Sequence, residues 1–289
     1  MSEQAGAQAR PTPVARGWQS ILRGIYVVWW RDLLRYWRDK WRLAASLAQP
    51  LLFLLVFGSG LSSALRGGFG GAAADIDYIQ YIFPGVIAMA VLFTSIFSAA
   101  SIVWDREFGF LRELLVAPID RSTLAVGKAL GGATQATIQG FIMVALAPVV
   151  GVTLTPLVFV TILPLVFVLA FSLSAMGVAI ASRMRSMQAF QVVLNFLMLP
   201  IFFLSGALFP LTGLPDWMTV LTRLDPASYG VDPLRRVLLG ASGTPEAVIQ
   251  QLGLTINGQP LPLIGEVAIL LGFGLVMLAL AVRSFQHQE

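Results

Sequence analysis

The chain has 289 residues, 57% of them apolar and 12% charged, and its mean hydropathy is +0.79. That balance lies outside the range of water-soluble domains and describes an integral membrane protein, so a soluble nucleic-acid-binding domain is excluded despite the net charge of +4. Without cysteine, and with one histidine (His287, in the C-terminal tail), the chain cannot build disulfides, iron–sulfur centres, thiolate zinc sites or intramembrane histidine clusters.

Residues 1–17 are polar and rich in Ala, Gln and Pro; they read as a disordered cytoplasmic tail with no cleavable signal peptide. Residues 18–42 alternate aromatic and basic side chains, among them Trp29, Trp30, Arg31, Arg35, Trp37, Arg38 and Trp41. Indole rings favour the headgroup layer and arginines attract anionic lipid, so this stretch reads as an amphipathic interfacial helix anchored by those residues. Aromatics interleaved with arginine also suit single-stranded nucleic acid, but beside a membrane span the lipid interface is the better match.

Charge-free intervals, each needing about 20 apolar residues, place the crossings. The first is 43–65 and the second 78–104. The charge-free run 129–182 holds two more, turning near 151–156, and 186–215 and 261–282 supply the fifth and sixth. The expected fold is all-α: a six-helix transmembrane domain over 43–283 and a short tail, 284–289. Six crossings put both termini on one side. Fifteen of the nineteen Lys and Arg residues then fall in segments on the side of the termini, which makes that side cytoplasmic.

Between the second and third crossings lies Trp104 to Pro118, WDREFGFLRELLVAP. At about 100° per residue Phe108, Phe110, Leu111, Leu114 and Leu115 share one arc of a helix, and Asp105, Arg106, Gly109, Arg112 and Glu113 the other. Pro118 stops the helix. Glu107 falls inside the apolar arc and needs a partner. A salt bridge or a bond to helix-end N–H groups would satisfy it; the sharper reading is that it transmits force from a cytoplasmic partner to the spans.

The outer loop at 66–77 is glycine-rich and reads as a flexible linker. The segment 209–262, punctuated by Pro and Trp, suggests short helices dipping back into the outer interface, tolerated there only under protein cover. Gln188, Gln191 and Asn195 share one face of the fifth crossing with Phe202 two turns beyond; they suit either interhelical hydrogen bonding or the wall of a substrate path. Gly127, Gly131, Gly132, Ala136 and Gly140 recur at four-residue steps and permit close approach, within the chain or against a twin subunit.

No ATP site is visible. Gly127-Lys128-Ala129 lacks both the upstream glycine and the following Ser/Thr of a P-loop. The mid-depth of every expected crossing is uncharged, Lys128 being close enough to the inner end to snorkel and Glu266 close enough to the outer end to reach water. That opposes an ion-coupled carrier or stand-alone channel. A membrane-embedded enzyme is weaker still, since no acid and base share a depth.

Two groups of residues carry a resemblance. The first is Asp105-Arg106-Glu107-Phe108-Gly109, Glu113-Leu114-Leu115, Pro118, Arg121 and Gly127-Lys128. The second is Leu204-Ser205-Gly206, Leu208-Phe209-Pro210, Leu214-Pro215, Trp217, Pro226, Tyr229, Asp232 and Arg235. Over nearly its whole length the chain resembles the permease subunit of type-2 ATP-binding-cassette exporters, with the second group leaning toward the daunorubicin and multidrug branch.

The resemblance implies that the chain is not itself an enzyme. ATP and magnesium would sit on a soluble partner ATPase, present in two copies beside two permeases, identical or homologous. It further implies that 104–118 is a coupling helix touching that ATPase through Arg106, Glu107, Phe110, Leu111, Glu113, Leu114 and Pro118, that 18–42 is an elbow, and that 209–262 holds re-entrant helices. Phe110 departs from the small polar residue usual in the family. The function implied is export of an apolar or amphipathic drug or lipid across a bacterial plasma membrane, or alternatively of a lipid-linked polysaccharide or teichoic acid.

Overall fold

The computed structural model describes residues 18–64, 77–108, 121–256 and 259–286. The two expected tails, most of the glycine-rich loop, and Phe110, Leu111, Glu113, Leu114 and Pro118 of the expected coupling helix lie outside the described residues.

Eleven α-helices are found among the described residues: α1 Trp18–Arg38, α2 Lys40–Ala64, α3 Tyr78–Ser98, α4 Ala100–Glu107, α5 Arg121–Val144, α6 Pro156–Ala181, α7 Met187–Leu204, α8 Asp216–Leu224, α9 Ser228–Ala241, α10 Glu246–Leu252 and α11 Leu263–Gln286. A two-stranded antiparallel ribbon, Thr255–Ile256 with Gln259–Pro260, is the only sheet among those residues. Prolines lie inside α2, α3, α6 and α7, as membrane helices tolerate where neighbours re-satisfy the backbone.

Helix α5 is the centre of the packing. Its buried alanines, Ala125, Ala129, Ala133 and Ala136, let α1, α3 and α6 approach it closely, and α11 closes over α6 and α5. The glycine repeat is used within the chain. A Cβ at Gly127 would meet Val28 at 2.8 Å, one at Gly132 would meet Ser98 and Ser174, and one at Gly140 would meet Val166 and Val91. Buried hydroxyls then tie neighbours together: Ser174 donates to the Ala129 carbonyl at 2.9 Å and Ser172 to the Leu270 carbonyl at 2.8 Å.

Among the described residues, five helical stretches are long and apolar enough to cross a membrane: 43–60 within α2, α3 with α4, α6, α7 and α11. The remaining expected crossing, the third, falls on α5, which has the length, at 24 residues or about 36 Å, but is rich in Gly, Ala, Thr and Gln rather than large apolar residues. It packs against protein on several sides, where small residues are what the neighbours require. The second expected crossing runs past Trp104, because Ala99 keeps helical backbone between α3 and α4. The resulting 30 residues measure about 45 Å, more than a hydrocarbon core of about 30 Å, and α4 stays packed on its neighbours, with Ala100, Ile102 and Val103 buried.

A junction at Asp105–Glu107

Three consecutive residues of α4, at steps of about 100°, point to three different parts of the bundle. Asp105 faces α1 and α5, its Oδ2 3.8 Å from both Arg31 Nη2 and Lys128 Nζ. Lys128 is 3% exposed. Its ammonium lies 3.0 Å from Asp32 Oδ2 and donates to Asp32 Oδ1 at 3.1 Å and to Ser101 Oγ at 2.8 Å. Arg106 turns the other way and donates to the carbonyls of Ser182, at 3.0 Å, and Met184, just past the end of α6. Glu107 Oε2 accepts from the Met187 N–H at 2.9 Å, on the first residue of α7. A carboxylate there satisfies an orphan donor and complements the helix dipole, beside Ser186, whose side chain accepts from Ala189 N at 3.3 Å.

Past this junction, Trp104 and Phe108 are exposed with ring centroids 5.8 Å apart. Arg183 and Arg185 of the α6–α7 turn are also exposed. The end of α4 therefore presents an aromatic pair beside a basic turn.

The helix-end N–H group is one of the partners expected for Glu107. Lys128 departs from its expected snorkelling position, because α1 delivers Asp32 to it inside the fold. Asp32 was missed; the available signal was a carboxylate in the middle of an otherwise basic aromatic segment. Trp29 also departs from the expected headgroup position: its indole N–H donates to Thr134 Oγ1 at 2.9 Å on α5. Trp30, Trp37, Trp41, Arg35 and Arg38 are exposed, and Arg31, half exposed, reaches toward Asp32 and Asp105. Gln188, Gln191 and Asn195 lie exposed along α7. Phe202 does not join them; it is buried edge-on against Phe53 of α2 with centroids 5.4 Å apart, an apolar partner that draws it off the open face.

At the opposite end of the bundle, Glu266 is fully buried rather than reaching water. Arg236 of α9 covers it, Nη2 donating to Glu266 Oε1 at 2.7 Å and to Asp232 Oδ2 at 2.8 Å. Asp232 Oδ2 also accepts from Leu254 N at 3.1 Å. Arg235, with no exposed surface, stacks 4.4 Å over the Tyr81 ring of α3 and donates to the Gly206 carbonyl. These residues join α3, α9 and α11 with the turn after α7.

Residues 23–239 match the family described as ABC-2 type transporter. The chain belongs to that family. Among its relatives, the transport permease ycf38 of Cyanophora paradoxa is 27% identical over 217 residues, covering 74% of each chain. Nodulation protein J of Rhizobium meliloti is 26% identical over 233 residues, 78% of this chain and 84% of the relative. The inner membrane transport permease YadH of Escherichia coli K12 is 25% identical over 222 residues, 75% and 84% respectively. As an ABC-2 permease the chain is a membrane subunit of an ABC transporter, the family being a transmembrane subunit and not the ATPase, and it associates with an ATP-binding cassette partner.

Proposed function

We propose that this permease exports an apolar or amphipathic compound, drug or lipid, driven by ATP bound with magnesium on a partner ATPase. In this reading α5 is the third of six crossings, both termini are cytoplasmic in a bacterial plasma membrane, and two permeases pair with two ATPase subunits. Residues 209–262 form the outer re-entrant helices and α1 the elbow. The cargo reading rests on the buried charges of the described crossings, Lys128 and Glu266, being paired with Asp32 and Arg236, since a compact ion would need a charged or strongly polar track open to it.

The observation that carries the reading is the three-way junction. A push on 104–118 reaches α1 and α5 through Asp105, the end of α6 through Arg106 and the start of α7 through Glu107. ATP-driven closure of the partner shifts the permease toward an outward-open state only if that state moves the coupling segment favourably, and the junction supplies the connection. The exposed Trp104, Phe108, Arg183 and Arg185 suit a partner groove with apolar floor and acidic rim.

A second reading, export of a lipid-linked saccharide, draws support from Phe196 and Phe203, both exposed on α7 near Asn195, where a sugar ring can stack. Reconstitution of the permease with its ATPase in liposomes tests the main reading. Export of a fluorescent amphipath should require ATP, and Glu107→Gln should lower the export rate about tenfold while leaving ATPase binding intact. Transport by the permease alone, or an unchanged rate in Glu107→Gln, overturns it.

A further inference from the structure

A cavity of about 290 Å³ lies between α1, α2, α3 and α5, lined by Tyr36, Ala45, Gln49, Pro50, Phe93, Thr94, Phe97 and Gln135 among others. It is separate from the open face of α7: α2 stands between them, turning Gln49 and Pro50 into the cavity and Phe53 toward Phe202. Thr94 is seven residues before Ser101, which meets Lys128, so the cavity sits about 10 Å from the ionic junction. That is within the leaflet on the junction side, and the mouth passes the exposed Ala45 and Gln49.

Thr94 is the informative residue. Threonines in membrane helices ordinarily bond the carbonyl four residues back, as Thr134, Thr137 and Thr161 do here at 2.7–2.8 Å. The hydroxyl of Thr94, 9% exposed, has no hydrogen-bond partner, and a buried hydroxyl left so costs on the order of 1–3 kcal/mol. Around it Phe93, Phe97 and Pro50 give an apolar floor. No lining residue is charged, and Asp32, one turn before the lining Tyr36 on α1, is paired with Lys128.

We propose that this cavity binds an uncharged, ring-bearing amphipath entering from the adjoining leaflet. Its ring lies on Phe93, Phe97 and Pro50, and its hydrogen-bond acceptor takes the Thr94 hydroxyl. The volume is near the lower end of ligand sites, about 300 Å³, and admits one or two rings. The assignment of this site to cargo entry rests on the export reading above; the binding itself does not.

Benzophenone, an uncharged two-ring ketone that inserts into C–H bonds on illumination, is a suitable probe. With the full chain in lipid nanodiscs, adducts on peptides spanning 45–50 and 93–97 should saturate with probe concentration, whereas those on the open face of α7 should rise linearly. Thr94→Val, which preserves shape, should raise the half-saturating concentration about fivefold, as for one hydrogen bond. Ala45→Trp, filling the mouth from an exposed position, should abolish the saturable fraction. Linear labelling at 45–50 and 93–97, or saturable labelling unchanged in both variants, overturns the site. Saturable labelling without ATP-dependent export by the full complex would retain the site and reject the export reading; export without saturable labelling does the reverse.

Discussion

Lys128 illustrates how a charged side chain is accommodated near the end of a membrane bundle. Its position beside a crossing was legible in the sequence; its partner was not, because Asp32 lies 96 residues away and nothing in local spacing links them. Removing one member of this buried pair leaves the other only a longer ionic contact, Arg31 at 3.6 Å for Asp32 or Asp105 at 3.8 Å for Lys128, which does not make up for the close partner lost. Lys128→Met should therefore destabilise the chain by about 3–5 kcal/mol in detergent unfolding, and Asp32→Asn in the same direction. The double variant Asp32→Leu with Lys128→Met should recover most of that loss; equal losses that simply add would show that the pair is not coupled.

Asp225, between α8 and α9, gives a pH prediction. Its side chain is buried, one oxygen accepting from Ala227 N at 3.0 Å and the other without a partner. Burial pushes its pKa up to about 8, partly offset by the Ala227 N–H. An acid that keeps its proton more tightly when folded contributes most below its unfolded pKa of 3.8, and that contribution falls as pH rises through the folded value. Melting temperature should thus drop more steeply from pH 4 to pH 8 in the natural chain than in Asp225→Asn. Identical slopes would reject the burial of an ionisable group there.

At the scale of elements, hydropathy located nearly every helix, since length and apolar content are local properties. It placed a crossing on α5, which is poorer in large apolar residues than the other spans because its central position selects small ones, and it ended the second crossing at Trp104 where helical backbone continues to Glu107. The glycine repeat was visible, but which neighbour it served depended on the packing of α1. Gly127 abuts Val28 and the Ile25 carbonyl, so Gly127→Leu should push α1 away and loosen Asp32 from Lys128. Overpacking of this kind costs about 1–3 kcal/mol. The expected readout is faster amide exchange across 25–36 with little change in α11; uniform exchange in both would rule out α1 as a separately detachable element.

For the whole molecule, the decisive property is uneven attachment. Asp232, Arg236 and Glu266 bind α9 to α11, Arg235 binds α9 to α3 over Tyr81, and Ser172 and Ser174 tie α6 to α11 and α5. These helices form one braced body. By contrast α7 meets it only over short stretches, and both α2 and α7 leave large apolar faces open, through Leu52, Leu55 and Val56 on one and Val192, Phe196 and Leu199 on the other. Glu107 holds α7 by its first turn alone, so a push from the junction acts on the helix least restrained elsewhere. If the permease cycles as proposed, spin labels at Val192 and Leu55 should change their distances to α11 by several ångströms when the partner ATPase binds ATP. Labels on exposed positions of α6 and α11 should keep their separation within about 1 Å, the scale of a packed core that does not repack. Equal changes in both pairs would mean that the braced body itself rearranges, and the junction would then be one contact among many rather than the route of coupling.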